Sequence, residues 1–251
     1  MKASRLRLNP SKTQVMWLGT KQQLDKIIIK DIPLLSTVVS VVDSARNLGV
    51  SIDSQLSMDV HIAAVCRSGY YQPRQLRPVT RSLSVAAAET VFHAFIASRL
   101  DYCNALLYGV SDRLMCRLQS VQNAAARLVT GARRCDHITL ILRQLHWLPV
   151  RQRVLFKIAV LVFQCLAGQA LSYLSDDCQP VSDSRPCHLR SSDSLSCVVR
   201  RAHNTYGDRC FATQGRGSGT LPAELQQCSS LRQFKRCLKT FLFGSWDYGA
   251  L

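Results

Sequence analysis

The sequence predicts an α+β fold that is mostly helical. Runs rich in β-branched residues lie within residues 13–52, and turn-forming residues stand at their ends. This pattern is typical of short strands. From Asp59 onward, apolar residues recur at spacings of three and four, which is the period of an amphipathic helix. A chain of 251 residues that is 47% hydrophobic can bury a sizeable core in one or two domains.

The N-terminal part is expected to contain short strands. A turn is predicted at residues 9–11, because Pro10 fixes its own backbone and favours an extended residue before it. Residues 13–18 then read as a strand that ends at Gly19. Two further runs, residues 37–42 and 46–52, are expected to pair as a hairpin that turns at Asp43 and Ser44.

Helices are predicted for most of the remaining chain. Asp59 can cap a helix that Pro73 interrupts. Ser84 is expected to cap the next helix, with Val85, Ala88, Val91, Phe92, Phe95 and Ile96 on its buried side. Later helices are predicted over residues 111–130, closed by Gly131, over residues 150–167 and over residues 230–243.

The charge balance indicates a polyanionic partner. The formal net charge is +16 because acidic residues are scarce, and most of the positive charge is arginine. Arginine binds phosphate bidentately and stacks on bases, so nucleic acid is favoured over a generally basic surface without a specific partner. Five arginines, expected on one face, are the candidate contacts: Arg127, Arg133, Arg134, Arg151 and Arg153. The helix dipole also favours cations near a helix C-terminus, which is a structural alternative for some of them.

The eleven cysteines do not suggest a disulfide framework. Their number is odd, their spacing is irregular and no secretory signal precedes them. Buried thiols of a reducing compartment are expected at Cys66, Cys103, Cys116, Cys165 and Cys237.

No pair of ligands has the spacing of a zinc site, and the apolar run at residues 158–163 is too short to span a bilayer. We therefore expect an intracellular protein of the cytoplasm or nucleus, with no metal site and no membrane partner.

Several separate blocks carry a resemblance to one family. They are residues 6–19, 46–50, 98–104, 118–130, 146–151 and 234–243. In order and spacing they resemble the region that follows the catalytic aspartates in reverse transcriptases of non-LTR, LINE-type and jockey-like retrotransposons. The parent enzyme of that family is an RNA-directed DNA polymerase that uses Mg²⁺.

The resemblance implies roles for particular residues. Lys12 matches a lysine that could protonate the pyrophosphate leaving group, provided an intact palm is present. Arg46, Asn47 and Gly49 match the hairpin that supports the primer end, and Gly49 could let a backbone approach closely. Implied partners are RNA or an RNA/DNA hybrid and an upstream palm region of the polymerase. The expected organisation is a palm-edge remnant (1–58), a helical thumb-like domain (59–178), a linker (179–205) and a basic helical segment (206–251).

The chemistry of polymerisation is missing from these blocks. Asp176 and Asp177 superficially match the paired aspartates of the family, but they follow a predicted helix and lie after Lys12 instead of before it. Two-metal phosphoryl transfer needs clustered carboxylates. The chain is therefore expected to hold no cofactor and to be inactive alone. A helical protein-interaction scaffold, or the product of a decayed transposon fragment, remains the alternative.

Overall fold

The computed structural model describes residues 9–34, 37–80, 82–178, 206–214, 222, 225, 227–228 and 230–246. In these residues the predicted fold class is confirmed, because two small antiparallel hairpins precede a mostly helical chain. The chain divides into two compact units, Met1–Ser68 and Gly69–Leu251, which we call the N-terminal unit and the helical unit. The linker predicted at residues 179–205 lies outside the described residues.

The N-terminal unit contains two separate hairpins. Their strands are β1 (Asp31–Leu34) with β2 (Thr37–Ser40), and β3 (Ser44–Asn47) with β4 (Val50–Asp53). The predicted pairing of residues 37–42 with 46–52 is wrong, because the second run folds back on itself at Leu48 and Gly49. Both turn residues have positive φ, 46° and 86°. Such a two-residue turn matches the twist of the strands that it joins.

The segment before these hairpins holds a turn and one bridge instead of a strand. The predicted turn is confirmed, since the Asn9 side-chain oxygen accepts hydrogen bonds from the Ser11 N–H and hydroxyl, and a 3-10 turn follows at Pro10–Lys12. The strand predicted at residues 13–18 is wrong, because Val15 forms only an isolated parallel bridge with Val41. The N–H of Val41 itself donates to Lys30, so the ladder there is already occupied. A short helix, α1 (Lys21–Leu24), comes next.

A carboxylate closes the loop that leads into the first long helix. Asp53 accepts hydrogen bonds from the N–H groups of Ser57 (2.8 Å) and Met58 (2.7 Å). These bonds hold a loop in which Leu56 and Met58 have positive φ, 52° and 66°. Partial burial opposes ionisation of Asp53, but the hydrogen bonds outweigh it and lower its pKa below the usual value.

Helix α2 (Asp59–Thr80) continues through Pro73 and Pro78, so the interruption predicted at Pro73 is wrong. A proline inside a helix removes a hydrogen bond and costs about 3 kcal/mol. One turn before Pro73, a Cβ added to Gly69 would lie 2.5 Å from Cγ1 of Val121, so glycine lets this part of α2 approach the Val121 side chain closely.

A π-helical turn changes which residues face the core after Ser84. The region contains α3 (Val85–Phe92), the π-helical turn (His93–Ala97) and α4 (Ser98–Asp101). The predicted cap is confirmed, because the Ser84 hydroxyl accepts the Ala87 N–H. The wider turn rotates the apolar face, so Ile96 is buried whereas Phe95 is 44% exposed. The predicted burial of Phe95 is wrong for that reason, and Val85, at the helix start, is also exposed.

Two long helices form the centre of the helical unit. Helix α5 (Asp112–Thr130) packs against α3, α6 (Ile138–Gln144) and α7 (Val150–Leu166). Both long helices and the closing Gly131, whose φ is 70°, were predicted. The completely buried Gln122 was not predicted. Its amide donates to the Leu148 carbonyl at 2.9 Å, and Gln119 accepts the Val150 N–H at 2.9 Å. Side chains of α5 thus satisfy the backbone where α7 begins.

The C-terminal helix completes an apolar cluster on α7. After α8 (Ser172–Ser175) and α9 (Phe211–Gln214) comes α10 (Leu231–Ser245), whose predicted cap Ser230 accepts the Gln233 N–H. Phe234 of α10 stacks on Phe163 of α7 with ring centroids 4.3 Å apart. Buried residues of the cluster are Leu148, Val160, Leu225, Cys228, Phe234, Leu238 and Leu242.

The cysteine and membrane expectations have separate outcomes. Cys66 and Cys165 are buried as predicted, Cys237 is half-buried, and Cys103 and Cys116 are exposed. The prediction was wrong for the last two because Cys103 lies in a left-handed loop position and Cys116 lies on the solvent face of α5. Among the described residues, no helix combines the length and apolar character that crossing a bilayer requires.

Candidate nucleic-acid interface

A cavity of about 720 Å³ lies beside the C-terminal end of α5 and is lined by arginines from two helices. Arg74 and Arg77 come from α2, and Arg127 comes from the last turn of α5. The other described residues of the lining carry no charge; they are Pro73, Ala124, Leu128, Val129, Thr130, Gly131 and Ala132. The cavity therefore combines concentrated positive charge with an uncharged, partly apolar wall.

Arg127 has an unusual environment within this cavity. Its side chain is half-buried, and its Nε is shielded from solvent without a hydrogen-bond partner among the described residues. A buried donor left without an acceptor costs about 1–3 kcal/mol. The negative end of the α5 dipole partly compensates by favouring a cation in the last turn. The location of Arg127 agrees with both explanations of its charge, which are a favourable interaction with the helix dipole and contact with a nucleic acid.

Arg74 and Arg77 were missed at the level of sequence. Their spacing of three places both side chains on one face of a helix, but the helix was expected to end at Pro73. Because α2 continues, both side chains come to the same cavity as Arg127. The signal in the sequence was the spacing of the two arginines after Pro73. That spacing indicates a shared helix face only because the helix continues past the proline.

The end of α5 leaves backbone facing the cavity. Gly131 takes the left-handed conformation that ends the helix, and no atom lies within 4 Å of the place where its Cβ would be. The Ala132 N–H donates to the Thr130 hydroxyl at 3.4 Å instead of to a helix carbonyl. The last four carbonyls of a helix have no partner within it, so this wall offers acceptors as well as open space.

Arg133 and Arg134 follow directly and are exposed. The backbone N–H of Arg133 donates to the Asp136 carboxylate at 2.6 Å, which fixes the chain just beyond the helix end. Neither side chain lines the cavity itself. We call the group Arg74, Arg77, Arg127, Arg133 and Arg134 the α5-end arginines.

The structure places the other two candidate arginines of the helical unit in ion pairs. Arg153 donates to both carboxylate oxygens of Asp101 at 2.8 Å and to the Leu148 carbonyl at 3.0 Å. Its side chain is only 12% exposed. Arg151 pairs with Asp112 near the solvent. Neither lines the cavity, so these two are not brought together with Arg127, although their role in binding stays a prediction.

The remaining candidates belong to the N-terminal unit. Lys12 is exposed at the end of its 3-10 turn. Arg46 and Asn47 are exposed on β3, and Gly49 forms the positive-φ turn that follows. Their roles at a primer or a leaving group stay predictions.

The paired aspartates are solvent-exposed. Asp176 and Asp177 follow the short helix α8 instead of connecting two strands. Over the part of the chain that the structure describes, no group of three or more His, Cys, Asp or Glu side chains could hold a metal ion.

Comparisons with protein-family models, with curated proteins and with solved structures gave no match for this chain. Its class is therefore defined by its own fold and site. It is a mostly helical α+β protein with an arginine-lined cavity at the end of its central helix.

Proposed function

We propose that this chain is the C-terminal part of a reverse transcriptase of the non-LTR retrotransposon type, and that its helical unit binds RNA or an RNA/DNA hybrid through phosphate contacts. The observation that carries the binding proposal is the convergence of Arg74, Arg77 and Arg127 on one cavity, with no acidic residue among the described residues that line it. The blocks that resemble the family support the assignment of lineage.

The chemistry of the α5-end arginines favours a phosphate backbone over base edges. Guanidinium groups match phosphate oxygens in a planar, two-point geometry and remain charged at any physiological pH. Contacts to phosphate position a nucleic acid but carry no sequence information. Binding is therefore expected to be tolerant of sequence and sensitive to salt, because neutralising phosphates releases counterions.

A salt titration of RNA binding tests this proposal. In the triple variant Arg127→Gln, Arg133→Gln, Arg134→Gln, binding should weaken for all RNA sequences alike. The slope of log K against log salt should fall by up to about three, since each lost phosphate contact removes close to one unit. Fluorescence anisotropy at several salt concentrations measures the slope, and circular dichroism verifies the fold.

A matched triple variant provides the control. Arg113→Gln, Arg117→Gln and Arg232→Gln remove the same charge from exposed positions that do not line the cavity. We expect the slope of this control to stay close to that of the parent. If both triple variants change the slope equally, the basic surface acts as a whole and the α5 end is not the binding site. If neither changes it, the protein-interaction scaffold becomes the better reading.

A further inference from the structure

The cavity at the end of α5 has the size of a small-molecule site. Pockets for small ligands have volumes of about 300–1,000 Å³, and this cavity has about 720 Å³. Gly131 and Ala132 belong to its lining, together with residues of α2 and α5. A volume of this size can hold one nucleotide.

The charge of the cavity matches a terminal phosphate better than an internal one. Three arginines line it, and no carboxylate is found among the described lining residues. An internal phosphodiester carries one negative charge, whereas a phosphate monoester carries about −1.5 to −2 at neutral pH. The monoester also offers three oxygens that can accept charge-assisted hydrogen bonds. A terminal phosphate therefore neutralises more of this cavity at one position.

The uncharged walls fit the rest of a nucleotide. Pro73, Leu128 and Val129 provide apolar surface for a base or sugar face. The carbonyl end of α5 provides acceptors for hydroxyl or amino donors, since the last carbonyls of a helix lack partners within it. A single unstacked nucleotide presents both kinds of group.

From these features we propose that the cavity binds a nucleotide that bears a phosphate monoester, with Arg74 and Arg127 on the phosphate and the walls around Leu128 on the nucleoside. Such a ligand is the phosphorylated end of a nucleic acid strand or a free mononucleotide. The inference rests on the proposed nucleic-acid binding and names the part of the ligand that this site selects.

The experiment compares one short single-stranded RNA in two forms, with a 5′-phosphate and with a 5′-hydroxyl, both labelled at the 3′ end. The full chain should bind the phosphorylated form more tightly by about tenfold, as expected for one additional charge-assisted contact. Equal affinity for the two forms would overturn the end-binding inference and leave the proposed function standing. Absence of salt-dependent binding to either form would overturn both.

Single variants assign the preference to this cavity. Arg127→Gln and Arg74→Gln should each abolish the difference between the two RNAs, and because both residues belong to the proposed binding site, each should also weaken binding of the 5′-hydroxyl form. Arg74 is exposed, so its variant keeps the test valid if replacing half-buried Arg127 disturbs the fold. Arg113→Gln is the control, because it removes the same charge from the other end of α5, about 21 Å away for fourteen residues of helix. A preference that survives both cavity variants places the phosphate elsewhere and overturns the inference.

Competition distinguishes the two sources of the ligand. Adenosine monophosphate that displaces the phosphorylated RNA from the parent, but not adenosine at the same concentration, identifies a site for free nucleotides. If the strand end binds preferentially and adenosine monophosphate does not compete, neighbouring phosphates contribute and the ligand is the strand end. Either result supports the monoester inference, whereas equal competition by adenosine contradicts it.

Discussion

The N-terminal unit and the helical unit are each stabilised by different kinds of interaction. Within residues 9–34 and 37–68 of the N-terminal unit, the buried apolar residues are few: Val39, Val50, Met58, Ile62 and Cys66. Local hydrogen bonds define much of its shape, such as those that Asp53 accepts at the start of α2. The helical unit buries more than thirty apolar side chains among the described residues. Stability rises with the apolar surface that is buried, so we expect the helical unit to resist unfolding more than the N-terminal unit does.

The largest expected difference concerns core truncations. Leu118 on α5 is 1% exposed, and Leu118→Ala should lower the free energy of unfolding by about 2–5 kcal/mol through lost burial and a cavity. Val39→Ala removes fewer methyl groups from a two-stranded hairpin and should cost clearly less. Urea unfolding of both variants measures the difference.

Hydrogen exchange locates the same contrast in the parent chain. Amides of α5 should exchange much more slowly than those of β1 to β4, because isolated two-stranded hairpins are marginally stable. Equal protection in β2 and α5, or equal costs of the two truncations, would show that the units unfold together.

A smaller effect is expected from the ion pairs at the start of α7. Arg153→Gln removes charge-assisted bonds from a side chain that is 12% exposed, and it should cost about 1.5–3 kcal/mol. Arg151→Gln breaks a pair in which both side chains are more than half exposed, so it should cost less than about 1 kcal/mol. Thermal unfolding compares the two. A larger loss from Arg151 would contradict the view that burial sets the value of these contacts.

The smallest expected effect is acid sensitivity of the N-terminal unit. Burial lowers the pKa of His61 below 6.5, so the unfolded chain binds its proton at a higher pH than the folded chain does. The stability that depends on neutral His61 is therefore present above pH 6.5 and is lost as the pH falls through the lowered pKa. Asp53, whose pKa is also lowered, adds a second loss below about pH 4.

Exchange of the β3 and β4 amides at decreasing pH should show both steps. His61→Gln should remove the first step and Asp53→Asn the second, with the other step retained in each variant. A single loss that neither substitution alters would assign the acid sensitivity to other groups.

The sequence by itself determined the class of fold and most of the long helices. Period, caps and closing glycines are local signals, and they located the helices that begin at Val85, Asp112 and Leu231 because each signal acts within a few residues. The excess of arginine can also be read directly from the composition. These properties depend on residues that are neighbours in the chain, so a single sequence contains them.

Tertiary structure decided which residues meet. Helix α2 continues beyond Pro73, and that continuation brings Arg74 and Arg77 to the same cavity as Arg127. The pairing of Arg153 with Asp101 and the burial of Gln122 against the Leu148 carbonyl join residues 52 and 26 positions apart. Such contacts have no local signature, because their free energy comes from burial and charge neutralisation that exist only after the helices have packed.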